Sequence, residues 1–440
     1  MQSINLQKGS PHPSLLPATH LRSAAATVLS NPSLYIPALD YGDEAGYHPL
    51  RTNIVKWLTN FYAPARPIPT ERICITGGAS QNLACILQVF TDPRHTVAVW
   101  LSEPTYHLVF TMFRDAGLGD RLRAVPEDGE GMQVAELERG IASAPGCHHS
   151  PGCADQLGPG KKYKHLIYCV PTYANPSGAT MSVPRREALV RLARRHDALV
   201  VCDDVYDFLA VTPAHHSPAP RLVDIDRTLD GGVGDDGFGN VVSNGSFSKI
   251  LGPGCRVGWA EATPRFVAAL AQCGSNISGG APSHLTSTYI NQMFENGSFQ
   301  SHLEGTVLPA VSRRYWILAD AVRQRLVPLG VSFQPDGARG MAAGGFFLWL
   351  RLPAGVSSED IDREATKQGL VIGKGGLFAV PGRNTGGSRE RVDGFIRLCF
   401  MWEDEDRLVE GVGRLEMVMR RLLAPRCLGE FTAPSRRSAV

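Results

Sequence analysis

The strongest chemical signal in the sequence is a lysine set between two hydroxyl groups and followed by a glycine-rich turn. The stretch SFSKILGPGCRVGW begins at Ser246 and places Lys249 beside Ser248, with Arg256 seven residues after the lysine. An amine can form an imine with an aldehyde, while hydroxyl groups and a cation can hold a phosphate dianion. Glycines let the backbone approach a ligand closely. The whole string therefore predicts a site for a phosphorylated aldehyde cofactor, whereas an isolated Ser-Lys pair would indicate only a surface lysine.

Two further charged residues lie at or within apolar runs. Asp203 ends the run Leu199–Cys202, and Arg397 lies inside the run Phe395–Phe400. A carboxylate at the end of a buried strand is costly unless it is paired, and the planar fork of an arginine suits a carboxylate. These patterns predict a cationic partner for Asp203 and an anionic one for Arg397. The simpler alternatives are a helix cap for the aspartate and a solvent-facing position on an edge strand for the arginine.

The elements that must position these groups form an alternating pattern in the first 300 residues. The strand candidates are Arg72–Ile75, Thr96–Trp100, His165–Val170, Ala198–Cys202 and Val241–Ser246. The helix candidates between them are Gln81–Val89, Thr105–Ala116 and Arg185–His196. This alternation indicates βαβ units, and continuous apolar strands indicate a mainly parallel sheet that is covered on both faces.

From about Ser298 the pattern changes to that of a smaller α+β domain. Its elements are a helix over Val307–Leu326, a strand over Gly344–Leu350, a helix over Ser358–Gln368 and a strand over Gly394–Phe400. We therefore expect residues 1–45 to pack on the small domain, residues 46–300 to form the large domain that binds the cofactor, and residues 301–425 to form the small domain. Residues 426–440 are predicted to be a disordered tail. Two stretches rich in glycine and proline, 142–162 and 213–240, are interpreted as insertions.

Composition restricts the classes of partner. A net charge of +2 gives no electrostatic case for nucleic acid or an anionic membrane. No window is apolar enough to predict a membrane span, and the first residues do not resemble a secretory signal, so a cytoplasmic location is expected. The ten cysteines are then expected to be free thiols. The stretch from Cys147 to Cys153 has no second pair of ligands at suitable spacing and is interpreted as a surface loop, so no metal site is predicted.

The Lys249 string, with other motifs in the same order, resembles the fold-type I, class I and II aminotransferases, especially the branch of the aminoadipate and kynurenine enzymes. The resemblance covers about residues 35–420. The other motifs are Asp40–Gly46 with Pro49–Arg51, Thr76–Gln81, Glu103–Tyr106, Pro171–Gly178 and Leu199–Tyr206. It implies the α/β fold of aspartate aminotransferase, with pyridoxal 5'-phosphate (PLP) bound to Lys249 as a Schiff base.

The resemblance also assigns the residues that hold the cofactor phosphate. They are Gly78, Ala79, Ser80, Ser246, Ser248 and Arg256, joined by Tyr41 of the neighbouring subunit in a homodimer. Backbone N–H groups at a helix N-terminus are well suited to bind phosphate, which fits the Thr76–Gln81 motif. A plain turn between strand and helix is the alternative for that motif.

The cofactor ring is assigned in the same way. Tyr106 would stack on the pyridine ring, while Asn175 and Tyr206 would contact its 3-oxygen. Asp203 would pair with the protonated ring nitrogen and so keep the ring able to accept electrons. Asp204 is the weaker candidate for that role, because the tyrosine of the family pattern follows the functional aspartate by three residues.

The activity implied is transamination between an α-amino acid and a 2-oxo acid, with Lys249 moving the Cα proton and Arg397 binding the substrate carboxylate. Elimination, replacement or C–C bond formation (including ring closure) by the same residues is the alternative enzyme class. An aminotransferase-like regulator is disfavoured, because no DNA-binding pattern precedes the resemblance. The insertions and the irregular loop at Arg383–Gly386 leave the substrate open among aromatic, branched and dicarboxylic amino acids.

Overall fold

The computed structural model describes residues 2–144, 160–212, 218–277, 283–334, 343–382 and 388–424, without the side chains of 388–390. The strands are β1 Ile4–Asn5, β2 Ile73–Thr76, β3 Ala98–Glu103, β4 Leu122–Asp128, β5 Gly131–Met132, β6 His165–Cys169, β7 Ala198–Asp203, β8 Val241–Ser246, β9 Gly258–Glu261, β10 Phe347–Arg351, β11 Leu370–Val371, β12 Gly373–Lys374 and β13 Phe395–Cys399. The helices are α1 Ala18–Ser30, α2 Pro32–Leu39, α3 His48–Tyr62, α4 Ala79–Phe90, α5 Val109–Asp115, α6 Val134–Ala142, α7 Val183–Arg195, α8 Leu222–Thr228, α9 Pro264–Ala271, α10 His284–Glu295, α11 Ser298–His302, α12 Leu308–Arg325, α13 Ser358–Lys367, α14 Ser388–Asp393 and α15 Glu405–Leu423.

The largest sheet has the strand order β2-β9-β8-β7-β6-β3-β4-β5. Strands β4, β3, β6, β7 and β8 run parallel to one another, while β5 pairs antiparallel with β4 at one edge, and β9 and β2 add antiparallel pairs at the other. Every residue of the central strands β6, β7 and β8 is buried, and burial on both faces explains the long apolar runs of β6 and β7. The predicted α/β fold with a mainly parallel central sheet is therefore confirmed.

A smaller sheet follows in the chain, with antiparallel strands in the order β10-β13-β12. The N-terminal strand β1 pairs in parallel with β11, which lies in this later part of the chain. The Leu6 carbonyl also accepts a hydrogen bond from the backbone N–H of Cys399. These contacts place the first residues of the chain beside the small sheet. The division of the chain into domains at about residue 300 stays a prediction.

The predicted elements match the observed ones closely where the sheet is buried. The prediction over Val241–Ser246 has the bounds of β8, and the other four strand predictions of the large sheet overlap β2, β3, β6 and β7. The helix predicted from Thr105 begins only at Val109, and the backbone N–H of Thr105 donates to the Phe378 carbonyl. The predicted strand from Gly344 likewise begins at Phe347.

Other elements were missed or differ from the prediction. The long helix predicted over Val307–Leu326 is preceded by a π-helical turn at Leu303–Val307, and α12 ends at Arg325. The stretch interpreted as an insertion over 213–240 contains α8, whose apolar side chains are buried in the core. Most of the other predicted insertion, the stretch from Cys147 to Cys153 and the tail after residue 424 lie outside the described residues.

An aromatic cluster packs beneath the turn that carries Lys249. Trp57 of α3 stacks on Phe208 with ring centres 4.0 Å apart, and its ring meets the Trp259 ring edge-on at 5.6 Å. Phe247, in the short 3-10 turn Phe247–Lys249, is fully buried against Trp259 at 5.0 Å. Each large aromatic side chain buries about 150–250 Å². This packing fixes the position of the turn and therefore of the Lys249 backbone, from which the side chain extends.

Among the described residues, no helix combines the length and the apolar character that crossing a membrane requires.

Candidate active site

A cavity of about 550 Å³ lies where the carboxyl ends of the parallel strands meet. Ligands of open α/β sheets bind at this edge, because loops from successive strands converge there. The predicted site residues that line the cavity are Ala79, Ser80, Tyr106, Asn175, Asp203, Tyr206, Ser246, Ser248, Lys249, Arg256 and Arg397. Gly78 lies directly behind Arg256, and Tyr41 lies outside the cavity with 82% of its surface exposed.

Lys249 reaches the cavity from the turn that follows β8. Its Nζ donates a hydrogen bond of 2.6 Å to the carbonyl oxygen of Gly9, and no described carboxylate lies within ion-pair distance of it. Burial lowers the pKa of the Lys249 ammonium to about 8, although the Asp203 carboxylate acts in the opposite direction. A lysine with such a pKa is partly neutral near physiological pH, and only the neutral amine attacks an aldehyde.

This pKa predicts how the protein freed of cofactor takes up PLP. The observed rate of uptake should rise about tenfold per pH unit below pH 8 and level off above it, because the neutral fraction of Lys249 follows that course. The measurement is stopped-flow absorbance after mixing with excess PLP, from about pH 6 to about pH 10. A rate that keeps rising to the upper limit would show that Lys249 titrates like an exposed lysine.

Asp203 is the last residue of β7 and is buried. Its Oδ2 accepts a 2.6 Å hydrogen bond from the hydroxyl of Tyr168, whereas its Oδ1 has no hydrogen-bond partner among the described residues. Burial raises the pKa of the Asp203 carboxyl to about 6. The neighbouring Asp204 accepts instead from the hydroxyl of Ser243 and does not line the cavity. Asp203 is therefore the carboxylate that a cationic donor in the cavity can satisfy.

The predicted phosphate-binding groups meet at the N-terminus of α4. Arg256 donates from Nη2 to the Gly77 carbonyl at 2.6 Å, and the Ser246 hydroxyl donates to that of Ser248 at 2.9 Å. A Cβ atom at Gly78 would lie 2.9 Å from Arg256 Nη2, and its φ of +93° disfavours other residues. A helix N-terminus, two hydroxyls and a guanidinium in one corner form a suitable cradle for a dianion.

Arg397 is a buried cation without an anionic partner in the part of the chain that the structure describes. Its Nη1 donates to Asn175 Oδ1 at 2.6 Å and its Nη2 to the Gln7 carbonyl at 2.7 Å, while Nε has no partner. The guanidinium lies 3.9 Å from the centre of the Phe347 ring and 4.8 Å from that of Phe378. A buried charge held only by neutral groups is costly. It points to an anionic ligand.

The residues that were predicted to contact the cofactor ring, Tyr106, Asn175 and Tyr206, also line the cavity. Burial raises the pKa of the Tyr106 phenol to about 12, and burial also raises the pKa of the Tyr206 phenol well above its ordinary value. Both hydroxyls are therefore neutral donors across the ordinary pH range. Asn175 Oδ1 accepts a hydrogen bond from Arg397, so its Nδ2 amide can donate a hydrogen bond to a ligand.

Three site residues were not predicted from the sequence. The N-terminal segment enters the cavity, where the carbonyls of Gln7 and Gly9 accept from Arg397 and Lys249. Tyr168 also lines the cavity and appeared in the sequence only as an apolar strand residue. Backbone carbonyls can be supplied by any residue type, so the segment gave no signal. The phenol of Tyr168 could have been found only from the pairing of β6 with β7.

The predicted residues that line the cavity fit a phosphorylated pyridine aldehyde. Lys249 supplies an amine of lowered pKa, α4 and Arg256 form the dianion cradle, and Asp203 has a carboxylate oxygen that lacks a partner. Arg397 lies in the same cavity and can bind a second anion. The arrangement provides what is needed to bind such a cofactor together with a carboxylate substrate.

Comparisons with known proteins identify the family of the chain. A family model described as aminotransferase class I and II matches residues 9–412. An uncharacterized protein of Saccharomyces cerevisiae is 32% identical, over 94% of this chain and 96% of its own. The 2-aminoadipate transaminase of Thermus thermophilus is 29% identical, over 96% of this chain and 91% of its own. The solved structure of Pyrococcus horikoshii kynurenine aminotransferase in complex with PMP is similar with a TM-score of 0.76 at 27% identity, covering 96% of this chain and 92% of that one.

Proposed function

This chain belongs to the class I and II aminotransferase family and is a PLP-dependent transferase of amino groups, and we propose which of its residues bind the cofactor and which act on the substrate. The observation that carries the proposal is the arrangement of three charged groups around one cavity. Lys249 has a lowered pKa, Asp203 has a carboxylate oxygen without a partner, and Arg397 is a buried cation without an anion among the described residues. Each of these groups lacks a partner that the cofactor or the substrate would supply.

We propose that the cofactor phosphate is held by Arg256, Ser246, Ser248 and the backbone of α4 at Gly78, Ala79 and Ser80. Tyr106 would lie against the pyridine ring, Asn175 and Tyr206 would donate to its 3-oxygen, and Asp203 would accept from its nitrogen. Bound PLP supplies an electron-accepting ring that stabilises negative charge at the substrate Cα. Asp203 maintains that capacity because an ionised carboxylate favours the protonated ring nitrogen.

Two residues act on the substrate in this proposal. Arg397 binds the α-carboxylate with its guanidinium fork and orients the amino acid in the cavity. Lys249 would hold the cofactor through its side-chain amine, and its Nζ, when free, would take the proton from the substrate Cα and later return it. A pKa of about 8 suits both directions of this transfer, because it lies close to the working pH.

The covalent assignment can be tested directly. Borohydride reduction of the loaded enzyme makes the bond between lysine and cofactor permanent. Digestion and mass spectrometry should then locate the reduced cofactor on the peptide that contains Lys249. Modification of Lys8, the other lysine that lines the cavity, would contradict the proposal.

Arg397→Lys is expected to raise KM for both the amino acid and the oxo acid by about 10- to 100-fold, with a smaller loss in kcat. A lysine keeps the charge but loses the bidentate fork, and a hydrogen bond to a charged group contributes about 1.5–3 kcal/mol. Steady-state kinetics with both substrates measures this. Arg351→Lys is the matched control, because Arg351 lies on the neighbouring strand β10 and is exposed. Equal KM changes in the two variants would show that Arg397 does not bind the substrate carboxylate.

We propose that the enzyme is a homodimer in which Tyr41 of one subunit contacts the cofactor phosphate of the other. Tyr41 is 82% exposed, and the preceding α2 exposes Ile36 and Leu39 at 59% and 64%. Neighbouring exposed apolar side chains of this kind mark interaction surfaces. Sedimentation should give twice the 47.6 kDa chain mass. Tyr41→Phe should weaken PLP binding without dissociating the dimer.

We also propose a cytoplasmic location. The seven cysteines that the structure describes are Cys74, Cys85, Cys169, Cys202, Cys255, Cys273 and Cys399, and all are free thiols. Free thiols are usual in reducing compartments. Cell fractionation tests this location.

A further inference from the structure

Tyr168 and Asp203 lie on adjacent parallel strands and face the same side of the sheet. In the register of β6 and β7, Tyr168 pairs with Val201, and Asp203 is two residues further along β7. Because side chains alternate along a strand, Val201 and Asp203 project to one face. The Tyr168 hydroxyl reaches diagonally across to Asp203 Oδ2 at 2.6 Å, and the tyrosine has no exposed surface.

The tyrosine is fixed on its other side as well. Its ring meets the ring of Phe113 from α5 edge-on, with centres 6.2 Å apart. A buried phenol has one proton to donate, and this proton goes to Oδ2. The second carboxylate oxygen, Oδ1, has no partner among the described residues. The contact therefore selects which oxygen of Asp203 is left for a ligand.

Resting on the role proposed above for Asp203, we propose that Tyr168 is a positioning residue, which holds one carboxylate oxygen of Asp203 so that the other is presented to the ring nitrogen of the cofactor. Tyr168 itself does not touch the reacting atoms in this account. Its contribution is to restrict the rotation of the carboxylate and to favour its ionised form.

The charged surroundings of Asp203 show why this contribution matters. Burial raises the pKa of the carboxyl, and Asp207 acts in the same direction, while the Tyr168 hydrogen bond and Lys249 lower it. The phenols of Tyr106 and Tyr206 are also close enough to interact electrostatically with the carboxylate. Among the described residues, Tyr168 is the one whose side chain donates a hydrogen bond to this carboxylate.

The test compares Tyr168→Phe with the wild-type enzyme in three measurements. The acid limb of the kcat profile should move to higher pH by about one to two units, because the variant loses a hydrogen bond to a charged group. The absorption spectrum of the bound cofactor should change on acidification at a correspondingly higher pH. The Kd for PLP should rise about tenfold, while KM for the amino acid changes less than about twofold.

Tyr163→Phe is the matched control. Tyr163 is also buried without exposed surface, lies just before β6, and donates its hydroxyl proton to the Gly239 carbonyl. It should cost similar stability without moving the acid limb or the spectrum. If Tyr168→Phe does not fold, 3-fluorotyrosine at position 168 provides the second variant. As a stronger donor, it should move the acid limb to lower pH.

The inference is overturned if Tyr168→Phe folds and binds PLP with the acid limb, spectrum and Kd of the Tyr163→Phe control. It is also overturned if the fluorinated enzyme titrates as the wild type does. A different result is expected if the role proposed for Asp203 is itself wrong. In that case Asp203→Asn would itself retain activity, whereas failure of the Tyr168 inference alone leaves Asp203→Asn impaired.

Discussion

Lys249→Ala is expected to lower turnover by at least about 10⁴-fold and to abolish the visible absorption band of the bound cofactor. A positioned general base contributes about 10²–10⁴-fold, and this variant loses the covalent anchor as well. The fold should survive, because the change removes an amine whose charged form is already disfavoured by burial. Absorbance spectra after loading with PLP, together with the thermal midpoint of the cofactor-free protein, measure both parts of the expectation.

Lys8→Ala is the control for this experiment. Lys8 also lines the cavity, but its Nζ lies over the Trp402 ring, 3.3 Å from the ring centre. The visible band should persist in Lys8→Ala. If the visible band persists in Lys249→Ala and disappears in Lys8→Ala, the cofactor is bonded to Lys8 and not to Lys249.

Asp203→Asn is expected to lower kcat by about 10²–10³-fold with a much smaller effect on KM. The change preserves shape but removes the negative charge that favours a protonated ring nitrogen, and loss of one such preorganised electrostatic group typically has this magnitude. The Lys249 bond to the cofactor should still form, so the loaded variant should keep a visible band. Steady-state kinetics on the loaded variant, with the cofactor content measured by absorbance, separates the two effects.

The matching substitution at the adjacent residue, Asp204, is the control for Asp203→Asn. Asp204 is buried and accepts from the Ser243 hydroxyl, outside the cavity. Asp204→Asn should therefore cost stability, about 1–3 kcal/mol for a disturbed buried hydrogen bond, yet keep kcat within a few-fold of wild type. If the two substitutions exchange these outcomes, Asp204 and not Asp203 faces the ring nitrogen.

Much of this site was predictable because its charged residues are tied to strand ends. Asp203 ends β7 and Lys249 follows β8, and the two strands are parallel neighbours. An apolar run that ends in a charged or hydroxylic residue fixes both the strand and the edge of the sheet to which the residue belongs. The alternation of strands and helices predicts that both residues lie at one edge of the sheet. Their roles in binding the cofactor were predicted from the family resemblance and stay a prediction.

The remaining features depend on contacts that no local pattern records. The carbonyls of Gln7 and Gly9 reach the cavity because β1 pairs with β11, more than 360 residues further along the chain. The helix α8 within the supposed insertion is held by Arg221, which pairs with Glu261 of β9 at 2.8 Å. Glycine, proline and aspartate in that stretch suggest a loop locally, but tertiary burial overrides this preference.

Transfer of an amino group from an amino acid to an oxo acid in this cavity can be followed as two separate half-reactions. Loaded enzyme is mixed with single amino acids from aromatic, branched and dicarboxylic classes, without any oxo acid, while its absorption spectrum is recorded. A substrate should bleach the visible band, and a 2-oxo acid, added afterwards, should restore it. Release of product over many turnovers with no oxo acid present would contradict transamination and indicate elimination or C–C bond formation instead.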